Sequence, residues 1–246
     1  MESGEECDSL EEKIKYMSHQ FEKKNFAFSD EQKRKFLLLY EMLVEKNKVM
    51  NLTGITKFPE VVEKHFLDSI LLNRVADLNK PIKVIDVGTG AGFPGLPLKI
   101  AFPNLKITLM DSLNKRVVFL KEVINALELE NIEAVHARAE ELARDKKYRE
   151  NFDLSVSRAV ANLSTLQEYC IPFVKIGGHF ISYKSGEIEE ELQMSENACR
   201  ILGGKVKQVY KFHLGEQKRS FVVIEKCKNS PKAYPRKAGT PLRQPL

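Results

Sequence analysis

The sequence lacks any apolar run long enough to cross a membrane. A spanning helix needs roughly 18 or more consecutive apolar residues, and candidates such as FLLLY, at Phe36 to Tyr40, have only the length of core segments. The first residues, MESGEECDSLEEK, are acidic and contain no apolar stretch. We therefore expect neither a signal peptide nor a transit peptide, and no association with a membrane.

Cysteine is also scarce, with only four in 246 residues, and no two of them form a C-x-x-C pair. Spacing of this kind argues against a zinc site and against a disulfide framework. We expect a cytoplasmic protein that needs no metal. With 43% hydrophobic and 30% charged residues, the composition is that of a soluble globular protein with a real core.

The end of the chain lacks acidic residues. From Lys226 onward there are six basic residues and no acidic one, although the net charge of the whole chain is only +5. A basic, proline-rich segment cannot build a core of its own, and its composition predicts a solvated, disordered terminus. The alternative is a segment that follows a phosphate backbone, with Tyr234 as a stacking surface. Arg236 and Lys237 are then candidate contacts to a nucleic acid.

The first third of the chain is patterned as helices. Ser29 has Gln32 three residues later, the spacing of a capping box, and so is predicted to open a helix. Pro59 suits the first turn of another helix. In that helix His65 and Asp68 lie three apart on a line of their own, which is the spacing of an ordinary surface pair.

After residue 80, buried strands alternate with helices, which predicts a parallel sheet covered on both faces. The last two strands have no helix between them and should form an antiparallel hairpin at the sheet edge. We predict an N-terminal helical cap in residues 1–80, an α/β domain in 81–226 and a basic tail in 227–246. The predicted strands are IKVIDV, LKITLM, IEAVHA, DLSVS, GGHFISY, KVKQVYKF and SFVVIEK.

The stretch VIDVGTGAGFPG places four glycines after the first strand, where an open α/β sheet binds its ligands. The dinucleotide fingerprint G-x-G-x-x-G fits Gly90, Gly92 and Gly95, but it puts Pro94, which has no amide hydrogen, where a diphosphate needs free amides. The other register, Gly88, Gly90 and Gly92 preceded by Asp86, is typical of nucleoside cofactors, above all S-adenosylmethionine. Close backbone approach there suits the amino-acid end of that cofactor, and Asp86 is expected to support the loop or the amine.

Acidic residues follow the next two strands. Asp111 ends the second strand, where a carboxylate would accept hydrogen bonds from ribose hydroxyls; both cofactor classes predict it, and it is alternatively a helix N-cap. Ala139 and Glu140 follow the third strand, where an adenine edge would bind, although Glu140 is alternatively a first-turn helix carboxylate.

The fourth strand ends at Arg158 and offers neither an Asn/Asp-Pro-Pro-aromatic motif nor a cysteine nucleophile. An acceptor that needs neither base nor nucleophile fits such a site, and guanine N7, with its in-plane lone pair, is one. Arg158 is expected to hold guanine O6, a phosphate or the carboxylate of the cofactor. The alternative is a structural ion pair, for which Glu140 is a candidate partner.

Six motifs in a fixed order carry a resemblance to a known family: NLTGIT (51–56), HFLDSILL (65–72), IDVGTGAGFPGLPLKI (85–100), LMDSLNKRVVFL (109–120), RAEEL (138–142) and SRAVANL (157–163). The chain closely resembles the bacterial 16S ribosomal RNA guanine-N7 methyltransferases, also called the glucose-inhibited division protein B family. The resemblance implies the Rossmann-like class I S-adenosylmethionine-dependent methyltransferase fold. It also implies a cytoplasmic enzyme that uses S-adenosylmethionine to methylate one guanine in 16S rRNA of the small ribosomal subunit. We expect this enzyme to be a monomer.

By position, the resemblance assigns cofactor binding to Gly88, Phe93, Ala139, Glu140 and Arg158, to which the motif analysis adds Gly90 and Asp111. His65 and Asp68 become candidate substrate residues, together with Arg236 and Lys237. Two other hypotheses remain open: a nicotinamide-dependent oxidoreductase that uses Gly90, Gly92 and Gly95, and a non-catalytic RNA-binding protein that retains the fold. The acidic first ~25 residues carry no family motif.

Overall fold

The computed structural model describes residues 9–246 and builds them around one seven-stranded sheet. The strands are β1 (Lys83–Val87), β2 (Lys106–Asp111), β3 (Ile132–His136), β4 (Phe152–Arg158), β5 (Val174–Ser185), β6 (Gly204–Leu214) and β7 (Gln217–Lys226). The α-helices are α1 (Leu10–Glu22), α2 (Asp30–Met50), α3 (Phe58–Val61), α4 (Asp68–Ile70), α5 (Gly95–Ala101), α6 (Asn114–Ala126), α7 (Ala139–Leu142), α8 (Leu163–Cys170), α9 (Glu189–Ile201) and α10 (Thr240–Arg243).

The strand order in the sheet is β3-β2-β1-β4-β5-β7-β6. The first five strands pair in parallel, whereas β7 pairs antiparallel with both β5 and β6. This confirms the predicted parallel sheet with a C-terminal antiparallel hairpin at one edge. The chain order reverses between β1 and β4, so the crevice at the carboxyl ends of these two strands is the expected ligand site.

The sheet is covered on both faces because its strands are apolar on both sides. One cluster of buried side chains joins the cap helices, α5 and α6 to one face of the sheet. A second cluster joins α7, α8 and α9 to the other face. The cap is thus packed directly against the parallel sheet, where its residues can border the crevice.

Two helices of the N-terminal cap, α1 and α2, each begin at a capping box. The Ser29 hydroxyl accepts a hydrogen bond from the Gln32 backbone amide, and the Gln32 side-chain oxygen accepts one from the Ser29 backbone amide, which confirms the predicted start of α2. Ser9 and Glu12 form the same box at the start of α1, a helix that we did not predict. The helix predicted around Pro59 is interrupted, because α3 continues into a π-helical segment at Val62–Leu67 before α4.

Residues 227–246 form a segment that we call the C-terminal strap, which ends in α10. Its composition predicts a solvated terminus, and that prediction is wrong. Its backbone carbonyls accept hydrogen bonds from Arg149, whose guanidinium reaches the carbonyls of Ser230 and Tyr234 at 2.8 and 2.9 Å. The strap therefore needs no core of its own, since the α/β domain supplies its hydrogen-bond donors.

Within residues 9–246, no helix is both long and apolar enough to span a membrane. The same residues contain no group of three or more His, Cys, Asp or Glu side chains placed to hold a metal ion. The cysteines of this part of the chain, Cys170, Cys199 and Cys227, are free thiols.

Candidate active site

The loop after β1 contains two kinds of glycine. Gly88 and Gly90 have left-handed backbone conformations, with φ of 72° and 62°, and both border a cavity. A Cβ atom at Gly90 would meet no atom within 4 Å, so the backbone there is open to a ligand. A Cβ atom at Gly92 would lie 2.2 Å from the side chain of Leu96, and one at Gly95 would lie 2.2 Å from a side chain of β2. The last two glycines therefore serve the packing of α5.

This difference separates the two registers of the glycine motif. The dinucleotide register needs its second glycine, Gly92, to face a diphosphate. The side chain of Leu96 occupies that space. In the other register, Gly88 and Gly90 come first, and these are the two glycines that border the cavity. The geometry thus favours a nucleoside ligand without a diphosphate at this loop.

The Asp86 side chain holds this loop in place by accepting hydrogen bonds from two of its residues. It is fully buried, and its Oδ2 accepts hydrogen bonds from the Thr89 hydroxyl at 2.6 Å and the Gly95 amide at 2.8 Å. Its Oδ1 has no hydrogen-bond partner among the described residues. Burial raises the pKa of Asp86 to about 6, against the opposing effect of those two donors. Asp86 therefore supports the loop, the first of the two roles predicted for it.

The cavity has a volume of about 380 Å³ and lies at the carboxyl ends of β1, β2 and β4, with the cap on one side. It brings together six of the predicted site residues: Gly88, Gly90, Phe93, Asp111, Arg158 and His65. The other five, Asp68, Ala139, Glu140, Arg236 and Lys237, are not among the residues that border it. The cavity also includes Arg116 and Thr53, which the sequence pattern did not single out.

Asp111 joins the end of β2 to the glycine loop. Its Oδ2 accepts a hydrogen bond from the Gly90 amide and its Oδ1 accepts one from the Leu113 amide, both at 2.9 Å. The side chain of Arg116 lies 3.4 Å from Oδ2. The N-cap of α6 is Leu113, so the alternative of Asp111 as the helix cap is wrong. Asp111 instead fixes the distance between the loop and the second strand, where a ribose would lie.

Arg158 crosses from β4 to the cap. Its Nη1 donates to Asp68 Oδ2 at 2.8 Å and to the Lys64 carbonyl at 3.0 Å. Its guanidinium carbon lies 5.4 Å from the ring centre of Phe93, within range of a cation–π contact. The ion pair of Arg158 is therefore with Asp68, and the suggested pair with Glu140 is wrong. Arg158 has one side against the cavity and the other fixed by the cap.

Asp68 is shared between two arginines. It is 1% exposed, and Arg219 of β7 donates to its two carboxylate oxygens at 2.8 and 2.7 Å. Asp68 thus joins α4, β4 and β7 through one carboxylate, with the two arginines oriented by the same acid. Arg219 lies 151 residues away in the sequence and carries no local motif. The only available clue was an acid within an apolar helix, which must find cationic partners when it is buried.

His65 is buried and stacked. Its ring lies 4.4 Å from that of Phe93 at an angle of 17°, and its Nε2 is 2.9 Å from the Thr53 hydroxyl. Burial, and then the charge of Arg158, lower the pKa of His65 to about 4. Because Arg158 donates to Nδ1 at 3.1 Å, the hydrogen must reside on Nε2, as inferred from these partners. His65 and Asp68 are therefore a buried pair on Arg158, and the surface-pair alternative is wrong.

The loop after β4 closes the cavity beside Arg158. Ala159 has a left-handed φ of 56°, an uncommon and strained conformation for a residue with a side chain. The next residue, Val160, is 40% exposed and packs against Gly88, where an added Cβ atom would lie only 2.7 Å from it. The sequence did not indicate Val160, since one valine after a strand has no distinctive pattern.

Ala139 and Glu140 lie beyond the cavity, at the start of α7. This helix begins beside the end of β2, because the amide that follows β3, that of Ala137, donates to the Asp111 carbonyl at 3.2 Å. Both residues are 6% exposed. Glu140 Oε1 accepts a hydrogen bond from the Gly239 amide of the C-terminal strap at 2.9 Å.

The two strap residues predicted to bind RNA have different environments. The guanidinium of Arg236 is held by Glu168 of α8, with contacts of 2.7 to 3.1 Å. Lys237 is exposed. A contact of Arg236 with a phosphate would therefore have to share the guanidinium with Glu168, whereas the Lys237 ammonium is accessible.

Comparison with known proteins gives consistent matches over nearly the whole chain. A family model described as rRNA small subunit methyltransferase G matches residues 32–222. The ribosomal RNA small subunit methyltransferase G of Lachnoclostridium phytofermentans is 52% identical over 217 residues, which cover 87% of this chain and 90% of that protein. The protein of the same name from Alkaliphilus metalliredigens is 50% identical over 223 residues, 90% of this chain and 93% of that protein. A solved SAM-dependent methyltransferase from Aquifex aeolicus shares the fold, with a TM-score of 0.51 at 20% identity, over 68% of this chain and 93% of its own.

Proposed function

The chain belongs to the rRNA small subunit methyltransferase G family, and from that premise we propose that it transfers a methyl group from S-adenosylmethionine to N7 of a guanine in 16S rRNA. The fold is the Rossmann-like class I S-adenosylmethionine-dependent methyltransferase fold, as predicted. The proposal includes action on the small ribosomal subunit, as a monomer and in the cytoplasm.

One observation carries the choice of N7: the cavity has no free general base. None of the described residues that border it is a cysteine, lysine, glutamate or tyrosine. Its one carboxylate, Asp111, holds the glycine loop, and its one imidazole, His65, holds Arg158 and Thr53. An acceptor that loses no proton on methylation fits such a lining.

S-adenosylmethionine, when bound, supplies an electrophilic methyl group on a positively charged sulfur. The guanine N7 lone pair forms the new bond to carbon while the carbon–sulfur bond breaks and its electrons remain on sulfur. The positive charge passes to the purine and no proton has to leave. The task of the protein is thus to align the two reactants and exclude water.

The residues of the cavity fit this cofactor. Gly90 offers open backbone for its amino-acid end, Gly88 borders the same cavity beside Val160, and Asp111 lies where its ribose would be. Phe93 and Arg158 border the same space. We place the adenine toward α7, with Ala139 and Glu140, because that helix begins next to the end of β2.

For the substrate, we propose that the target guanine is splayed out of its RNA loop and enters beside Arg158 and His65. Asp68 holds Arg158 in the orientation in which it meets the base. Lys237, and Arg236 where Glu168 can share it, remain the proposed contacts to the RNA backbone.

The test is transfer of radiolabelled methyl groups from S-adenosylmethionine to small-subunit RNA, followed by identification of the modified nucleoside. We expect N7-methylguanosine, and a fall of about 100-fold in Arg158→Ala because the reactants lose their alignment. Arg200→Ala, which removes an exposed arginine of α9, should leave the rate unchanged. Label in protein, or in a nucleoside other than guanosine, would contradict the proposal.

A thermal-shift comparison separates this function from the two alternatives. S-adenosylmethionine should raise the melting temperature, and NAD should not, because Leu96 fills the space of a diphosphate. Stabilisation by NAD alone would favour an oxidoreductase. No shift with either cofactor, together with RNA binding, would favour a non-catalytic protein.

A further inference from the structure

We propose that the C-terminal strap positions Glu140 for the adenine end of the cofactor, so that residues 236–246 determine cofactor affinity. The inference rests on the proposed function, because that function is what places adenine beside Glu140. It gives the strap a role inside the protein, in addition to the RNA contact proposed for Lys237 and Arg236.

The first step is the contact itself. The Gly239 amide donates to Glu140 Oε1 at 2.9 Å, and Glu140 is 6% exposed. Gly239 has a φ of 80°, which glycine adopts at little cost. The Tyr169 side chain lies on the same carboxylate, and burial and then Glu140 raise the pKa of Tyr169 to about 12. Glu140 is thus held in one orientation by the strap and α8.

The second step is that the strap has a fixed docking point. Glu168 is 1% exposed, and among residues 9–246 its carboxylate accepts hydrogen bonds from Arg236, from the backbone amide at 2.7 Å and from the guanidinium. A buried carboxylate without its cation is costly. Glu168 therefore favours the docked strap, and Arg236 acts through its backbone as well as through its charge.

The third step is that hydrogen bonds hold the strap to the α/β domain on both sides of Gly239. On the N-terminal side, Arg149 holds the carbonyls of Ser230 and Tyr234. On the C-terminal side, the buried hydroxyl of Thr165 donates to the Pro241 carbonyl at 3.0 Å. These contacts fix the position of the Gly239 amide relative to α7.

The consequence is specific to one end of the cofactor. The strap reaches Glu140, while Gly88 and Gly90 lie in the cavity on the other side of Asp111. Loss of residues 236–246 should weaken the binding of any ligand that contains adenosine. It should do so to the same extent for ligands with and without the amino-acid end.

The experiment measures dissociation constants for S-adenosylhomocysteine and 5′-methylthioadenosine by calorimetry, in wild type and in a chain that ends at Pro235. We expect both constants to rise by about tenfold, the loss of one hydrogen bond to a charged group. Binding of a 16S rRNA fragment is measured in parallel, because the shortened chain also lacks Arg236 and Lys237, the proposed contacts to the RNA backbone. The control is full-length K228A/K232A, which removes two exposed charges of the strap and should leave both constants unchanged.

If the shortened chain does not fold, E168Q/R236Q replaces it, since this pair removes the ion pair without leaving a buried charge. Wild-type binding of S-adenosylhomocysteine with no change in either variant overturns the inference and leaves the proposed function intact. A rise in the RNA constant alone also overturns it. Failure of the wild type to bind either nucleoside overturns the proposed function itself.

Discussion

Two buried carboxylates in this protein have similar surroundings and different consequences. Asp68 and Glu168 are each 1% exposed, and each is paired with arginine at 2.7 to 2.8 Å. Asp68 serves two arginines, one of which, Arg158, borders the cavity. Within residues 9–246, the hydrogen-bond partner of the Glu168 carboxylate is Arg236, which lies outside the cavity lining.

The difference shows that burial and pairing do not by themselves mark a functional residue. What distinguishes Asp68 is the position of its partner: Arg158 also contacts His65 and Phe93, so a change at Asp68 reaches the space where the reactants meet. A change at Glu168 reaches the strap and, through the contact of Gly239 with Glu140, only the proposed adenine end of the cofactor. Substitutions at the two acids and at their arginines test this distinction.

The largest effect is expected for Asp68→Ala. It leaves two arginines without their acid in a largely buried region, since the Arg158 and Arg219 side chains are only 11% and 16% exposed. We expect a loss of about 3–5 kcal/mol in the free energy of unfolding, measured by urea denaturation. Methyl transfer at a temperature where the variant is folded should also be lost.

The matched control for that variant is Asp77→Ala. Asp77 is about half exposed and pairs with an exposed lysine, Lys80. Its removal should leave the free energy of unfolding nearly unchanged, because solvent screens this exposed pair. If Asp68→Ala behaves like this control, Asp68 is not the anchor of Arg158.

A smaller effect is expected for Glu168→Ala. The Arg236 side chain is 25% exposed, so its charge can be solvated when the partner is removed. We expect a loss of about 1–3 kcal/mol in the free energy of unfolding. In steady-state kinetics, KM for S-adenosylmethionine should rise while kcat at saturating cofactor stays the same. A fall in kcat as large as that of Asp68→Ala would remove the distinction between the two acids.

Part of the fold could be predicted because the signals are local. Each parallel strand is a short apolar run, and the Ser29 capping box lies within four residues. The antiparallel hairpin follows from the absence of a helix between β6 and β7. The helix after Pro59 was predicted without its π-helical segment, since one extra residue in a turn leaves the apolar stripe almost unchanged.

The site residues, like the elements of the fold, could be predicted only where a local signal marks them. The glycine loop and Asp111 lie at strand ends, where position along the chain indicates position in space. The partners of Asp68 lie 90 and 151 residues away, and no periodicity connects them. The docking of the strap could not be predicted for the same reason. Its composition has no apolar face, whereas the hydrogen-bond donors that hold it, Arg149 above all, belong to the α/β domain.

Arg219→Lys tests whether the second arginine of Asp68 acts through geometry or only through charge. Lysine keeps the charge but cannot reproduce the two-point contact to both carboxylate oxygens. Since Arg158 stays paired, we expect a fall of only about tenfold in kcat/KM for RNA. Lys218→Arg, an exposed change next to it in β7, should have no effect. Equal activity of Arg219→Lys and wild type would show that charge alone is enough.

The smallest expected effect is on the pH dependence of stability. His65 in the cap and Asp86 beneath the glycine loop change the free energy of unfolding in opposite directions as the pH rises. His65 has a pKa of about 4 in the folded protein against 6.5 unfolded, so the unfolded chain binds the proton first and stability rises with pH between these values. Asp86 has a pKa of about 6 against 3.8. The folded state keeps that proton longer, and stability falls as pH rises through the same window.

These two slopes offset each other in the wild type, so removing one should expose the other. In Asp86→Asn, the free energy of unfolding should rise with pH between about 4 and 6 more steeply than in the wild type, by up to about 1.4 kcal/mol per pH unit. Urea midpoints at several pH values in that range measure the slope. Glu216→Gln, which removes an exposed carboxylate in the β6–β7 turn, is the control. An unchanged slope in Asp86→Asn would mean that Asp86 is ionised throughout, and its unpartnered Oδ1 would then have to be solvated in the folded protein.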